Sequence, residues 1–151
     1  MKSFLLFVMV SSSLMFAADK LNVDDADFDT AIQFKGESWK KITSQAKEEN
    51  KLIFIDVYAT WCGPCKVLKK TTFTDAELGD YFNANFVNAA FDAEKGEGKR
   101  LAEEFKVTAY PTMLFVDSDG TVIKRLVGYH NANQLLRKAK EVAKQFIRES
   151  E

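Results

Sequence analysis

Cysteine, proline and histidine are scarce in this 151-residue sequence, and each scarcity excludes something. Cys62 and Cys65 are the two cysteines and His130 is the single histidine. A structural zinc site takes about four ligands, mostly sulfur or imidazole nitrogen, which leaves only a Cys62, Cys65, His130 and carboxylate set as a metal alternative. Covalent haem attachment uses a Cys-x-x-Cys-His run. Residue 66 is lysine, so that reading fails. The formal net charge is −1 and basic residues cluster only in short lysine pairs, so nothing favours a nucleic-acid partner. A glycine-rich dinucleotide fingerprint is missing, and with it any sign of a soluble cofactor. The glycines of Glu94 to Arg100 lack phosphate-loop spacing and read as turn chemistry. Neither an internal repeat nor a low-complexity tract occurs. No apolar run reaches the roughly 20 residues of a membrane span.

What is present describes one globular domain. The chain is 46% hydrophobic and 28% charged, enough to build a core at this length. Residues 1–18 differ from the rest. Lys2 precedes FLLFVMV, and the segment ends in small residues with no acid before Asp19. This is the pattern of a secretory signal peptide, with an uncleaved anchor as the alternative. Cleavage after Ala17 or Ala18 places bulky Met15 or Phe16 at the −3 position. Its removal leaves 20 basic and 22 acidic residues. The expected organisation is a signal peptide at 1–18, an extension at 19–36 and a domain at 37–151.

Periodicity supplies the elements. Ala31–Phe34 reads as a short strand. Trp39, Ile42 and Ala46 give Glu37–Asn50 a helical period. Leu52–Tyr58 is apolar on both alternating sets, as a strand buried on both faces is, with Asp56 interrupting it. A helix follows from Cys62 to Lys70. Thr74 with Glu77 three residues on resembles a capped helix start. Phe86–Phe91 reads as a strand, Lys99–Phe105 as a helix, and Thr112–Val116 with Thr121–Leu126 as a hairpin around Asp117–Gly120. Leu135, Leu136, Ala139, Val142, Ala143, Phe146 and Ile147 share one helical face. Early alternation and a late hairpin predict an α/β fold: a central mixed sheet flanked by helices on both faces.

The chemistry concentrates in ATWCGPCK, Ala59–Lys66. A disulfide closing so short a loop stabilises by only about 2 kcal/mol, so a structural staple explains little of this pattern. A redox pair explains more. A buried strand ends near Tyr58 and a helix begins near Cys62. That puts the Cys62 sulfur, exposed, among unpaired N–H groups at the positive end of a helix, which favours thiolate, with Cys65 one turn further in. Pro64 suits a first helical turn. Pro111 precedes a strand, where strand initiation is the simpler explanation. Asp56 lies in a strand buried on both faces, so its pKa should rise and make it a base near neutral pH. The plainer alternative is an acid reaching water at the strand end. His130 reads as a surface turn residue, and Phe54, Tyr58 and Phe115 as core aromatics.

YATWCGPCK with Asp56 upstream, TTFTDAEL, FDAEKGEG and YPTMLFVDSDG resemble the thioredoxin superfamily over roughly Trp39 to Ile147. They are most similar to its exported members and to the periplasmic carboxy-terminal domain of the transmembrane disulfide reductase. The resemblance implies a thioredoxin-like fold and a thiol–disulfide oxidoreductase. It implies that Cys62 is the nucleophile, Cys65 the resolving cysteine and Asp56 the buried acid. It places Trp61 beside the disulfide, Gly63 and Pro64 between the cysteines, and a cis bond before Pro111 that presents the Tyr110 backbone to a substrate. One departure stands out. Relatives often pair the buried acid with a lysine on the next strand, where this chain has Asn88; Lys66 and Lys69 lie nearby in sequence without being obvious substitutes. Implied partners are disulfide-containing exported proteins and a membrane thiol donor, with the chain acting as a soluble monomer once cleaved. A reductant is favoured by Gly63-Pro64, as in members near about −270 mV rather than oxidants near about −120 mV. A non-catalytic binding module and a dedicated thiol relay for cytochrome c maturation are the other readings.

Overall fold

The computed structural model describes residues 29–150. The expected signal peptide and residues 19–28 of the extension lie outside them. Nine elements follow in order: α1 (Trp39–Glu49), β1 (Leu52–Tyr58), α2 (Gly63–Thr71), α3 (Ala76–Asn85), β2 (Phe86–Asp92), α4 (Gly96–Glu104), β3 (Thr112–Val116), β4 (Val122–Val127) and α5 (Ala132–Ser150). The strands form one mixed sheet in the order β2-β1-β3-β4. β1 runs parallel to β2 and antiparallel to β3, and β3 and β4 form the expected hairpin.

Alternation along β1 divides the core. Leu52 and Phe54 join Leu68 of α2, Phe82 of α3 and Leu135 of α5 on one face. Ile53, Ile55 and Val57 join Ile42 of α1 and Leu101 of α4 on the other. Because successive side chains point to opposite faces, a strand buried on both faces needs helices on both sides of the sheet. Phe54 meets Phe82 edge to face at 4.7 Å, and Phe115 lies 5.2 Å from Phe54. Phenylalanine thus fills the layer between sheet and α3.

Three local expectations need correction. Ala31–Phe34 is not a strand. The Ile32 N–H donates to the Phe73 carbonyl and the Gln33 N–H to Asn83 Oδ1, so two of its donors turn away from the sheet. The one bridge near by, Lys35 to Ala89, falls just after the segment. Thr74 does not cap α3. Asp75 does, its Oδ1 accepting the Leu78 N–H at 2.9 Å, while the Thr74 hydroxyl donates back to the Lys70 carbonyl. α4 begins at Gly96, inside the stretch expected to be a loop. Gly98 is needed there because an ideal Cβ would stand 2.1 Å from the Asp92 carbonyl oxygen. Glu97 in the first turn suits the helix dipole and accepts the Trp39 N–H at 2.8 Å.

Asp75→Ala removes the α3 cap and is expected to lower stability by about 1 kcal/mol, read as a shift in the urea midpoint at constant m-value.

Candidate active site

The end of β1 delivers the chain to α2 through Ala59–Trp61. Cys62 takes the extended backbone of an N-cap, and its Sγ accepts the Cys65 N–H at 3.2 Å. Pro64 occupies the first turn, where a missing N–H leaves nothing unpaired. The two sulfurs are bonded, with Cα atoms 5.3 Å apart. The first turn of α2 carries no acidic residue. The Cys65 N–H and the helix dipole favour negative charge on Cys62 when the bond is open. The expected exposure of Cys62 is corrected: the residue is 3% exposed. Ala59 is buried with the two cysteines, and Tyr58 and Tyr110 pack against this cluster.

The loop before β3 approaches from the other side. The Tyr110–Pro111 peptide is cis, and Pro111 is buried at the entry to the strand. The Thr112 hydroxyl donates to the Ala109 carbonyl at 2.7 Å and holds this turn. Trp61 stands out from the surface at 65% exposure and meets Tyr110 edge-on at 6.0 Å. Its indole N–H donates to Glu94 Oε1 at 2.8 Å. Gly63 and Pro64 are exposed beside it. One end of the sheet thus gathers Cys62, Cys65, Trp61, Gly63, Pro64, Tyr110 and Pro111. His130 is half-buried between β4 and α5, its Nδ1 against the Gly128 carbonyl and its own carbonyl accepting from Thr72. Among the described residues no three His, Cys, Asp or Glu side chains cluster as a metal site.

Asp56 lies mid-strand, opposite Ala90 and Met113, and is 7% exposed. Its Oδ1 is buried without a hydrogen-bond partner. Burial pushes its pKa up to about 7, with the Lys69 ammonium pulling the other way. A cleft of about 720 Å³ is lined by Asp56, Cys65, Lys69, Tyr58 and Phe73, joining the acid to the second cysteine. Asn88, opposite Phe54 on β2, is buried and bonds to Asn83 Oδ1 through its Nδ2. The charge beside Asp56 therefore comes from α2 and not from β2. Its sequence signal is spacing: Lys69 follows Cys62 by seven residues, close to two helical turns. Glu94 gave no comparable signal, because 33 positions separate it from Trp61.

The chain matches the Thioredoxin-like domain family over residues 39–143 and belongs to it. It is similar to the thiol:disulfide interchange protein DsbD of Tatumella citrea, 35% identical over 94 residues, or 60% of this chain. That match covers 16% of the relative, so the chain spans a small part of such proteins. Among solved structures it is similar to a proposed disulphide-isomerase from Bacteroides thetaiotaomicron. That structure is 47% identical with a TM-score of 0.67, covering 75% of this chain and 93% of the other. The oxidised DsbD carboxy-terminal domain of Neisseria meningitidis shares the fold at 24% identity and a TM-score of 0.57, covering 67% and 89%. Family, fold and the bonded Cys62–Cys65 pair fit a thiol–disulfide oxidoreductase.

Asp56 makes stability depend on pH. Below about pH 4 it is protonated both folded and unfolded; between about pH 4 and 7 only the folded chain keeps the proton. Stability from this group is therefore present at low pH and falls as pH rises through that window. Asp56→Asn abolishes the titration. Relative to wild type, the variant should gain up to about 4 kcal/mol between about pH 4 and pH 8, measured by urea denaturation of the oxidised proteins. An equal difference at both pH values would mean that Asp56 ionises normally.

Proposed function

We propose that this chain reduces disulfides in exported proteins and is itself re-reduced by a membrane thiol donor. The observation that carries the proposal is the Cys62–Cys65 pair at the start of α2, joined by one cleft to a buried acid with a pKa of about 7. The Cys62 thiolate attacks a partner disulfide, forms a mixed disulfide and releases one partner thiolate. Asp56, as carboxylate, takes the Cys65 proton. The Cys65 thiolate then attacks Cys62 Sγ and releases the second partner thiolate. Two electrons have passed to the partner, and the chain is left with the bonded pair.

Trp61, Gly63, Pro64, Tyr110 and Pro111 form the surface that receives the partner. The backbone at Tyr110 offers hydrogen-bonding groups to an extended segment lying beside the sulfurs. Export is supported by the composition of residues 1–18, and similarity to DsbD supports a donor in the membrane. Gly63-Pro64 supports the reducing direction. A single chain supplies both cysteines and Asp56, so the reaction needs no second copy.

Equilibration with glutathione and dithiothreitol buffers measures the potential of the pair. A value of about −250 mV or lower is expected, and one above about −180 mV would reverse the direction. Cys65→Ser should accumulate mixed disulfides with partners in the exported compartment, and Cys62→Ser should reduce insulin at the background rate only. Insulin reduction at only the background rate in wild type as well would leave a non-catalytic binding module as the better reading.

A further inference from the structure

Cys62 caps an open helix end and is nevertheless 3% exposed. The cover is aromatic. Tyr110 packs against the buried cluster of Ala59, Cys62 and Cys65, and Trp61 meets Tyr110 edge-on. Trp61 is 65% exposed, so burial does not fix its ring. The edge contact and the hydrogen bond to Glu94 do. Glu94 in turn is held by a tight turn. Asp92 Oδ1 accepts the Glu94 N–H at 2.9 Å, and the Asp92 carbonyl accepts the Lys95 N–H at 3.2 Å. Gly98 packs directly on that same carbonyl. This turn therefore presents the Glu94 carboxylate from a fixed place.

We propose that Glu94 is a positioning residue: by holding Trp61 against Tyr110 it latches the aromatic cover over Cys62 and sets how fast a thiol reaches the disulfide. The inference rests on the redox reading of the pair. Reduction by dithiothreitol reports on it directly. One thiolate attacks Cys62 Sγ, the Cys62–Cys65 bond breaks and Cys65 leaves as thiolate. The second dithiothreitol thiol attacks the mixed disulfide and releases the Cys62 thiolate. The reagent ends as its cyclic disulfide, two electrons having moved. Glu94 bonds to the indole and not to sulfur, so the latch acts on access in both directions. It changes rates and leaves the potential where it was.

Charge is the competing explanation, since a carboxylate also repels an incoming thiolate. Glutamine separates the two, because its amide oxygen still accepts the indole N–H. The experiment is stopped-flow reduction of the oxidised full domain by dithiothreitol, alongside the potential, for wild type, Glu94→Ala and Glu94→Gln. Glu94→Ala should be reduced about three- to tenfold faster, the rate equivalent of one net hydrogen bond. Glu94→Gln should stay within about twofold of wild type, and the three potentials should agree. The latch is overturned if Glu94→Ala keeps the wild-type rate, if Glu94→Gln matches Glu94→Ala, or if the potential moves with the rate. A wild-type disulfide that cannot be reversibly reduced would instead remove the redox reading, and the latch with it.

Discussion

Burial of β1 on both faces constrains the rest of the molecule. Six of its seven residues are buried, and only Tyr58 at the end is partly open. A strand of this kind requires helices above and below the sheet, and the chain supplies them in alternation. The order of layers then decides where the reactive groups fall. β1 must leave the sheet at its carboxy end, and α2 must start there to return across the sheet. Cys62 is placed at that start because the strand ends four residues earlier, at Tyr58. The same burial takes Asp56 away from water.

Two opposite electrostatic effects meet within a few residues. The start of α2 favours the anionic form of Cys62. The interior around Asp56 favours the neutral acid. The proposed exchange would use both, a nucleophile ready as thiolate and a carboxyl that exchanges its proton near neutral pH. Lys69 sits on the wall of the cleft that Asp56 and Cys65 share, and its charge offsets part of the desolvation of the acid. Asn88, opposite Phe54 on β2, could have been a cation, but it is an amide engaged with Asn83. That contact belongs to a group of bonds tying residues 31–35 to α3 and β2. Asn83 Nδ2 donates to the Ala31 carbonyl, and the Lys35 N–H to the Asn88 carbonyl.

Much of this was legible in sequence, for reasons that differ by element. The period of two in β1, and of about 3.6 in α1 and α5, reports which face meets the core, so those elements could be read directly. The Asp117–Gly120 turn reads locally because its bonds are local: Asp117 Oδ1 accepts from Asp119 and Thr121. Thr74 misled because two adjacent residues both have capping side chains, and the hydroxyl was already committed to the end of α2. The start of α4 misled because Gly98 answers a tertiary contact with Asp92, while its sequence context suggests a loop. Ala31–Phe34 has strand-like residues, yet Phe73 and Asn83 take two of its backbone donors.

The sequence by itself determined the two-faced central strand, the Cys-Gly-Pro-Cys turn into a helix, the buried acid six residues before it and the proline opening β3. Each of these depends on neighbours within about two helical turns or on strict alternation, so a linear reading captures it. Only the tertiary structure decided that Tyr110 packs against the cluster holding Cys62, that Glu94 grips Trp61, and that Lys69 shares a cleft with Asp56. These depend on how separate loops and helices meet at the end of the sheet. The Trp61–Glu94 contact spans 33 positions, and nothing in the intervening residues encodes it locally.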